Sequence, residues 1–405
     1  MKFYFPDSQD LISPTYDFVH DEYSPLRVRQ RDDLYAHEAL GSAPYDGLLV
    51  SKAIVDGSVK GAGKYSMPQR ERLYRLGVHR FFRLPAGVVA MGDCGSFNYV
   101  DEPTPPYAVE EVLDFYDGCG FDSGISVDHV ILGYAAGATE ANVDPDWRGR
   151  RAISLRLAES FLRSIERRGI DVEPVGAAQG WSPASYADSV RELQDMGYRR
   201  IALGGMVPLK TDAILDCLKA IDEVRAPVTE LHLLGVTRVE TMDLFADHGV
   251  TSFDSTSPFR QAFMDDRRNY HVDDTAYVAI RVPQVDGNAS LKRSILAGVV
   301  SQREAVATER ECLKRLRALD TGSASVEGAL EVLARYEVIT ASKNSYLEQY
   351  RRTLEAAAWR TCDCSICRKH GVEITIFRGT ERNKRRGFHN LTVLARKVRS
   401  LRQSA

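Results

Sequence analysis

Short, mostly apolar runs alternate with longer amphipathic stretches from about residue 45 to residue 255. Runs of this length and composition are typical of strands that are buried on both faces of a parallel sheet. The seven predicted strands lie at residues 47–50, 87–91, 127–132, 172–178, 201–203, 231–234 and 250–253. The chain therefore favours an architecture in which buried strands repeat at regular intervals.

The stretches between these runs have helical periodicity, which predicts helices over residues 147–168, 182–197, 211–224 and 238–248. Ser182 and Pro183 form a helix start, and Gly249 follows the last helix as a stop. Repeated strand–helix units indicate the α/β class. We expect a (β/α)₈ barrel of the TIM type, with a doubly wound open sheet as the alternative.

Beyond residue 285 the pattern changes, because residues 286–360 are helical in periodicity and poor in strands. A further amphipathic helix is predicted from about residue 390 to 402. The sequence thus predicts three domains: a catalytic barrel over 1–285, a helical insertion over 286–360, and a metal-binding subdomain with a basic C-terminal helix over 361–405.

The composition is that of a globular protein, with 44% hydrophobic and 27% charged residues among 405. The first residues are broken by Pro6 and Asp7 and do not form a signal peptide. No run of eighteen apolar residues exists, so we expect no membrane span. Seven cysteines, four of them scattered, favour reduced thiols and a cytoplasmic location.

The other three cysteines form a dense cluster that predicts a metal site. Cys362, Cys364 and Cys367 are followed some twenty residues later by His389, and these four ligands can close a tetrahedral Zn²⁺ shell. Four protein ligands leave no position for water, so we expect a structural zinc. The alternative is a set of reduced thiols with a histidine nearby by chance.

The region around this cluster is strongly basic, with twelve Lys/Arg against three Asp/Glu over residues 360–405. The cations of this basic tail include Arg382, Lys384, Arg385, Arg386, Arg396, Lys397, Arg399 and Arg402. A nucleic-acid backbone is the partner that such a patch would bind. The alternative interpretation is a solvated helix face.

Acidic, amide and glycine residues cluster where the predicted strands end. Such ends converge on one mouth of a barrel, where active sites are built. Paired carboxylates suit cleavage of a glycosidic bond, since one can attack the anomeric carbon while the other transfers protons. An Asp after a strand also commonly caps the following helix. The candidates are Asp93, Asp128, Gln179, Gly204, Gly205, Leu234 and Asp254, with Phe97 as an aromatic that can stack on a base.

The order Asp-x-Gly-x-Phe, Asp, Gln-Gly, Gly-Gly, Leu-Gly, Phe-Asp and Cys-x-Cys-x-x-Cys…His resembles the tRNA-guanine transglycosylase superfamily, over roughly residues 85–260 and 360–400. The resemblance implies a (β/α)₈ barrel with a structural zinc subdomain. It also implies exchange of guanine in a polynucleotide for a 7-deazaguanine, without a nucleotide cofactor. The expected reaction is that of a pentosyltransferase.

The resemblance also implies roles for individual residues. Asp254 matches the nucleophile that attacks C1′ and forms a covalent sugar intermediate, and Asp93 matches the general acid/base. The base is expected to contact Phe97, Asp128, Gln179, Gly204, Gly205 and Leu234. The metal ligands are matched by Cys362, Cys364, Cys367 and His389.

The surroundings of these positions depart from the tRNA enzymes. Cys94 and Asn98 stand where Ser and Gln are usual, the acidic run after Gly205 is absent, and residues 286–360 are inserted before the zinc ligands. This pattern resembles the DpdA-like branch, which inserts a 7-deazaguanine (preQ₀) into DNA. That resemblance implies a helper protein, and the chain has no Gly-x-x-x-x-Gly-Lys-Ser/Thr ATPase loop of its own.

Three alternatives remain at this stage. The chain can be a tRNA-guanine transglycosylase with unusual loops, or a non-catalytic zinc subunit that binds nucleic acid. A generic barrel glycosidase explains the carboxylates but neither the cysteine cluster nor the basic tail. His129, beside Asp128, either orients that carboxylate, binds substrate or is a satisfied barrel histidine, and His232 and His248 are interpreted as structural.

Overall fold

The computed structural model describes residues 1–404 apart from Ser8, Lys60 and Ala62, with side chains described to residue 401. The last residue of the predicted third domain, Ala405, and the side chain of Arg402 lie outside the described residues. Contacts divide the chain into two units. The barrel unit comprises Met1–Gln9, Tyr45–Thr256 and Lys397–Ala405, and the helical unit comprises Asp10–Pro44 and Ser257–Arg396.

The barrel unit is built on eight parallel strands that close in sequence order, with β1 paired to β8. The strands are Lys2–Pro6 (β1), Gly47–Ser51 (β2), Val89–Asp93 (β3), Ser123–Ile125 (β4), Glu173–Ala178 (β5), Arg200–Leu203 (β6), Glu230–Leu233 (β7) and Val250–Asp254 (β8). Short strands outside the barrel are Tyr270–Val272 (β9), Thr275–Tyr277 (β10), Ile280–Arg281 (β11) and Ile376–Phe377 (β12). The predicted (β/α)₈ class is confirmed, and the open sheet is excluded.

Helices separate most of the strands. They are Ala36–Leu40 (α1), Lys52–Asp56 (α2), Met67–Phe81 (α3), Val109–Cys119 (α4), Pro145–Arg168 (α5), Pro183–Met196 (α6), Thr211–Asp222 (α7), Met242–Ala246 (α8), Ser257–Met264 (α9), Ala289–Leu296 (α10), Gln302–Asp320 (α11), Val326–Ile339 (α12), Leu347–Ala356 (α13), Ser365–His370 (α14) and Gly379–Ser404 (α15). Short 3₁₀ helices occupy Ser96–Tyr99, Val239–Thr241, Ala358–Arg360 and Gly371–Thr375. The last helix begins eleven residues before the predicted start at 390.

The interior of the barrel is filled by side chains from successive strands, as the fold requires. This core consists of Tyr4, Leu49, Met91, Ile125, Val175, Ala177 and Ala202. Because these side chains pack together inside the barrel, the strand ends are where polar groups can meet a substrate.

Two strand predictions need correction. The first strand of the barrel, β1, was not predicted, because its apolar run Phe3–Phe5 is short and is cut by Pro6. The predicted strand at 127–132 is wrong, since β4 ends at Ile125. Residues 127–131 are buried without a strand ladder, and side chains satisfy part of their backbone: Ser154 accepts from the N–H of His129 at 2.9 Å, and Tyr99 donates to the carbonyl of Asp128 at 3.0 Å.

The helical unit contains a cluster of buried arginines that the sequence assigned to a nucleic-acid-binding tail. Arg382, Arg385 and Arg386 are each at most 1% exposed, so this part of the prediction is wrong. Arg382 pairs with Asp21 and, at 2.7 Å, with Glu373. The cations stabilise the fold of this unit, and they are not available to a phosphate backbone.

Candidate active site

Two of the predicted carboxylates stand at the ends of β3 and β8, which are separated in the barrel wall by β1 and β2. Asp93 ends β3, in register with Ser51 of β2, and Asp254 ends β8, in register with Tyr4 of β1. The ends of parallel strands converge in a closed barrel. The charge of Asp254 reaches Asp93 strongly enough to raise the pKa of its carboxyl. The structure therefore brings together these two sequence-predicted residues at one mouth.

Asp254 is held in place by two donors at its Oδ1 atom. The backbone N–H of Gly235 lies 2.8 Å from this oxygen, and Nε2 of His232 lies 3.2 Å from it. Nδ1 of the same histidine lies 2.9 Å from the hydroxyl of Ser252. Because His232 is paired with Ser252 across β7 and β8, all three side chains project to the same face of the wall. The carboxylate is buried, with 5% exposure, and its orientation is fixed.

Asp93 has an unusual proton affinity. Burial, together with the negative charges of Asp128 and Asp254, raises the pKa of this carboxyl to about 7 against the opposing effect of a hydrogen bond from the N–H of Gly95. No lysine or arginine forms an ion pair with any of the three aspartates in the described part of the chain. A carboxyl with a pKa near neutrality can both donate and accept a proton at physiological pH.

Asp128 lies three residues beyond β4 and is tied to its neighbours through both oxygens. The thiol of Cys94 is 3.2 Å from Oδ1, and Nε2 of Gln179 donates to Oδ2 at 2.6 Å. The Oε1 atom of Gln179 accepts from the N–H of Ile131 at 3.1 Å. Burial raises the pKa of Asp128. The two predicted base-reading side chains therefore form one ordered pair.

Two predicted glycines lie against this pair. A Cβ atom on Gly204 would sit 2.0 Å from Nε2 of Gln179, and one on Gly205 would sit 2.2 Å from the carbonyl oxygen of Ile131. Gly205 also has φ of +74°, which disfavours any other residue. Backbone and amide groups can approach closely here only because both side chains are absent.

The remaining predicted contacts are Phe97 and Leu234. Phe97 lies in the 3₁₀ helix after β3 and is 49% exposed, which is unusual for a phenylalanine. Leu234 follows β7 and packs against the barrel core. An exposed ring beside the strand ends is available for stacking on a planar ligand.

Three residues outside the predicted set are clarified by their contacts. His129 points away from the aspartates, with Nε2 2.7 Å from the carbonyl of Glu102 and Nδ1 2.8 Å from Arg150, so it is a satisfied barrel histidine. Burial raises the pKa of the Cys94 thiol well above its usual range, which opposes a role as nucleophile. His232, interpreted from the sequence as structural, contacts Asp254. Its position on the inner face becomes apparent only once the register of β7 and β8 is known.

The predicted metal ligands lie together in the helical unit. The ligand atoms of Cys362, Cys364, Cys367 and His389 all fall within 4.8 Å of one another. Nδ1 of His389 is 3.6, 3.5 and 3.2 Å from the three sulfur atoms. Its Nε2 atom lies 2.7 Å from the carbonyl of His271, which leaves Nδ1 available for a metal. These four residues can hold a metal ion.

None of the helices over the described residues has an apolar stretch long enough to cross a bilayer. A parallel barrel with carboxylates at its strand ends, together with a Cys₃His cluster, matches what the sequence resemblance to the guanine-exchanging transglycosylases implies. A scan against models of known protein families returned no match.

Over 400 residues the chain is 46% identical to a protein from Salmonella montevideo named DNA-guanine transglycosylase. The alignment covers 97% of this chain and 95% of that protein. The chain belongs to the DNA-guanine transglycosylase family, and the sequence prediction of a guanine-exchanging transglycosylase is confirmed.

Proposed function

We infer that this enzyme exchanges guanine in DNA for a 7-deazaguanine of the preQ₀ type, through a covalent intermediate on Asp254. The observation that carries the inference is the carboxylate of Asp254, which is buried, free of any lysine or arginine pair among the described residues, and oriented by Gly235 and His232. A carboxylate held in this way keeps its nucleophilicity and needs no reorganisation before attack.

The proposed reaction has two displacements at C1′ of the target deoxyguanosine. In the first, a carboxylate oxygen of Asp254 bonds to C1′, the C1′–N9 bond breaks, and the neutral carboxyl of Asp93 gives its proton to the departing guanine. In the second, Asp93 takes a proton from the incoming deazaguanine, whose ring nitrogen bonds to C1′ while the ester to Asp254 breaks. Two inversions retain the configuration of the sugar. The pKa of about 7 suits Asp93 to both transfers.

We assign recognition of the base to the ordered side chains beside these carboxylates. Asp128 and Gln179 offer acceptor and amide groups to its polar edge, and the bare backbone at Gly204 and Gly205 allows it to approach. Phe97 supplies a stacking surface, and Leu234 lies next to Gly235 at the end of β7. These polar groups are already hydrogen-bonded to protein, so the incoming base must replace existing contacts.

We assign a structural Zn²⁺ to the Cys₃His cluster. Zinc–sulfur bonds of about 2.3 Å and a zinc–nitrogen bond of about 2.0 Å at tetrahedral angles place sulfur and nitrogen about 3.5 Å apart. The three separations in this cluster are 3.6, 3.5 and 3.2 Å. The site would stabilise the helical unit, and its four protein ligands leave no position for substrate.

The DNA substrate has a consequence for the reaction. A guanine inside a duplex must leave the stack before Asp254 can reach its C1′ atom, which costs a few kcal/mol. A helper ATPase that opens the duplex would remove this cost.

All seven cysteines are free, which is consistent with the cytoplasmic location expected for such an enzyme.

Incorporation of labelled guanine or preQ₀ into DNA and, in parallel, tRNA tests the function. We expect label in DNA, and none after the Asp254→Asn change. Asp117→Asn, on the exposed face of α4, is the matched control and should incorporate label at the rate of the unmodified chain. Label in tRNA alone would overturn the proposed DNA substrate.

A further inference from the structure

The helical unit contains an open cleft of about 640 Å³ beside the β9–β10 hairpin and the start of α13. Three cations line it, Arg267, Lys343 and Arg352, and no acidic side chain does. Two tyrosines, Tyr277 and Tyr346, also line it. The cleft therefore combines positive charge with aromatic surface.

The positive charge of this cleft is only partly offset by nearby acidic side chains. Arg267 and Lys343 are exposed and form no ion pair within the described ranges of the chain. Arg352 is 3.8 Å from Glu348, and both side chains are more than half exposed, so this pair contributes little. A nearby acid, Glu337, accepts a hydrogen bond from the hydroxyl of Ser345 at 2.7 Å and keeps its negative charge, so Glu337 and Glu348 offset part of the charge of the three cations. The cleft is thus an attractive site for an anion.

Each of the two tyrosines lies against a buried tyrosine ring. Tyr346 lies 6.3 Å, between ring centroids, from the buried Tyr350, and Tyr277 lies 6.5 Å from the buried Tyr270. Both tyrosines are only half-buried, so part of each ring remains accessible. Accessible aromatic rings together with cations are the combination that binds single-stranded nucleic acid, because bases stack on the rings while phosphates meet the cations.

We propose that this cleft binds a single-stranded segment of the DNA substrate. The proposal rests on the proposed function, in which a guanine in DNA must be unpaired before it reacts. A surface that prefers unpaired DNA would recover part of the cost of opening the duplex. An acidic peptide would satisfy the cations, but it would make no use of the tyrosines.

Fluorescence anisotropy with the full chain tests the charges. A labelled single strand and the corresponding duplex are titrated over a range of salt concentrations, with the Lys343→Ala/Arg352→Ala protein beside the unmodified one. Each lost contact to a single strand should lower the slope of log K against log salt by about 0.7, so the double variant should lose about 1.4. Its affinity for the single strand should fall more than its affinity for the duplex.

The matched control is Arg310→Ala/Lys314→Ala, which removes two exposed cations of the same unit from α11, outside the cleft. This control should keep the salt slope of the unmodified chain. Equal losses in the two double variants, or no loss in either, would overturn the proposal. So would a failure of the unmodified chain to bind single-stranded DNA at low salt.

The aromatic contribution is tested at Tyr346. Tyr346→Ala should weaken binding of the single strand roughly 5- to 150-fold, whereas Tyr346→Phe should bind like the unmodified chain. An abasic strand of equal length has the phosphates without the bases, so Tyr346→Ala should leave its binding unchanged. Equal losses on the abasic and the normal strand would contradict stacking and would favour a generic anion such as an acidic peptide.

The exchange assay separates this inference from the proposed function. The cleft variants should raise the KM for DNA and keep kcat, because the cleft binds DNA without touching the reacting atoms. An unchanged KM together with active incorporation would remove the inference and leave the function intact. No incorporation into DNA by the unmodified chain would remove the function, and the inference with it. Thermal melting of each variant checks that it is folded.

Discussion

The molecule contains two clusters of like charge, one in each unit, and they differ in whether their charges are paired with charges of opposite sign. At the barrel mouth, Asp93, Asp128 and Asp254 lie near one another with no lysine or arginine paired to them in the described chain, and the pKa of Asp93 rises to about 7. In the helical unit, Arg378 and Arg382 share the carboxylate of Asp21. The aspartates have hydrogen-bond donors but no lysine or arginine partner in the described chain, whereas the arginines are paired with carboxylates.

The arginine cluster is satisfied beyond this shared carboxylate. Arg378 also reaches Glu309 at 2.7 Å, and Arg382 donates to the carbonyl of Phe18 at 2.8 Å. The ring of Phe18 lies 4.8 Å from Arg382 and 4.9 Å from Arg385. Buried charge is tolerated when it is paired and hydrogen-bonded, and it is costly otherwise. The difference indicates that the arginines stabilise the fold, and it supports the catalytic role that we propose for the aspartates.

Removal of the nucleophile should give the largest effect. Asp254→Asn should lower kcat at least about 10⁴-fold, since a lost nucleophile abolishes the covalent route. DNA binding should persist, because the amide keeps the shape of the side chain. Single-turnover kinetics and anisotropy measure the two properties. A variant that retains a tenth of the activity would contradict the role of Asp254.

The paired cluster should respond in stability. Arg382→Ala should lower the free energy of unfolding by about 3–5 kcal/mol, because it leaves Asp21 and Glu373 with buried charge that has lost a partner. Arg368→Ala removes an exposed arginine of the same unit and should change it by less than about 0.5 kcal/mol. Denaturant unfolding measures both. Equal losses of unfolding free energy in the two variants would mean that the buried ion pairs of Arg382 do not stabilise the fold more than an exposed arginine does.

Replacement of an aspartate of the unpaired cluster should raise the free energy of unfolding, in contrast to the loss expected for Arg382→Ala. Asp93 has a native pKa of about 7 and an ordinary value of 3.8, so between these values the native state holds a proton that the unfolded chain releases. Stability is therefore lost as pH rises through this window. Asp93→Asn removes this pH dependence. Its free energy of unfolding should exceed that of the unmodified chain by roughly a few kcal/mol more at pH 8 than at pH 4, while activity is lost.

The control for this pH dependence is the exposed residue Asp117. Asp117→Asn should leave the pH dependence of the unfolding free energy as it is in the unmodified chain. A pH dependence of Asp93→Asn that matches the unmodified chain would show that the mouth is not destabilised by its buried carboxyls.

The smallest effect is expected at His232, which positions Asp254 and does not touch the substrate in the proposed reaction. His232→Gln should lower kcat and kcat/KM together by roughly 10- to 100-fold, because a misplaced nucleophile slows only the chemical step. The control is His248→Gln, which removes a histidine whose Nδ1 atom lies 3.4 Å from a carboxylate oxygen of Asp222. This change should leave kcat and kcat/KM as they are in the unmodified chain. A loss of stability with unchanged kcat would make His232 purely structural.

The sequence predicted the parts of this molecule that depend on local pattern. Seven apolar runs indicated the barrel, and the spacing of Cys362, Cys364 and Cys367, with His389 beyond them, predicted a set of metal ligands that the structure brings together. These signals are local because the length of a strand and the spacing of ligands are written in short stretches of chain. The third run gave a wrong strand, because burial at 127–131 is equally consistent with a loop satisfied by side chains.

The parts that depend on distant partners were not predictable. β1 is a strand because it closes the barrel against β2 and β8, and nothing local marks it. Arg382 was predicted to be a surface cation, because its partner Asp21 lies more than three hundred residues away in sequence. The contact between His232 and Asp254 depends on the register of β7 and β8. Pairing across the chain decides whether a charge is structural or functional.

The most direct measurement is to locate the covalent intermediate. The enzyme is incubated with DNA in the absence of a free base, denatured and digested, and the peptide that carries the sugar is identified by mass spectrometry. The account predicts an adduct on the peptide that contains Asp254, its absence in Asp254→Asn, and its release when preQ₀ is added before denaturation. An adduct on another residue, or one that survives the Asp254→Asn change, would contradict it.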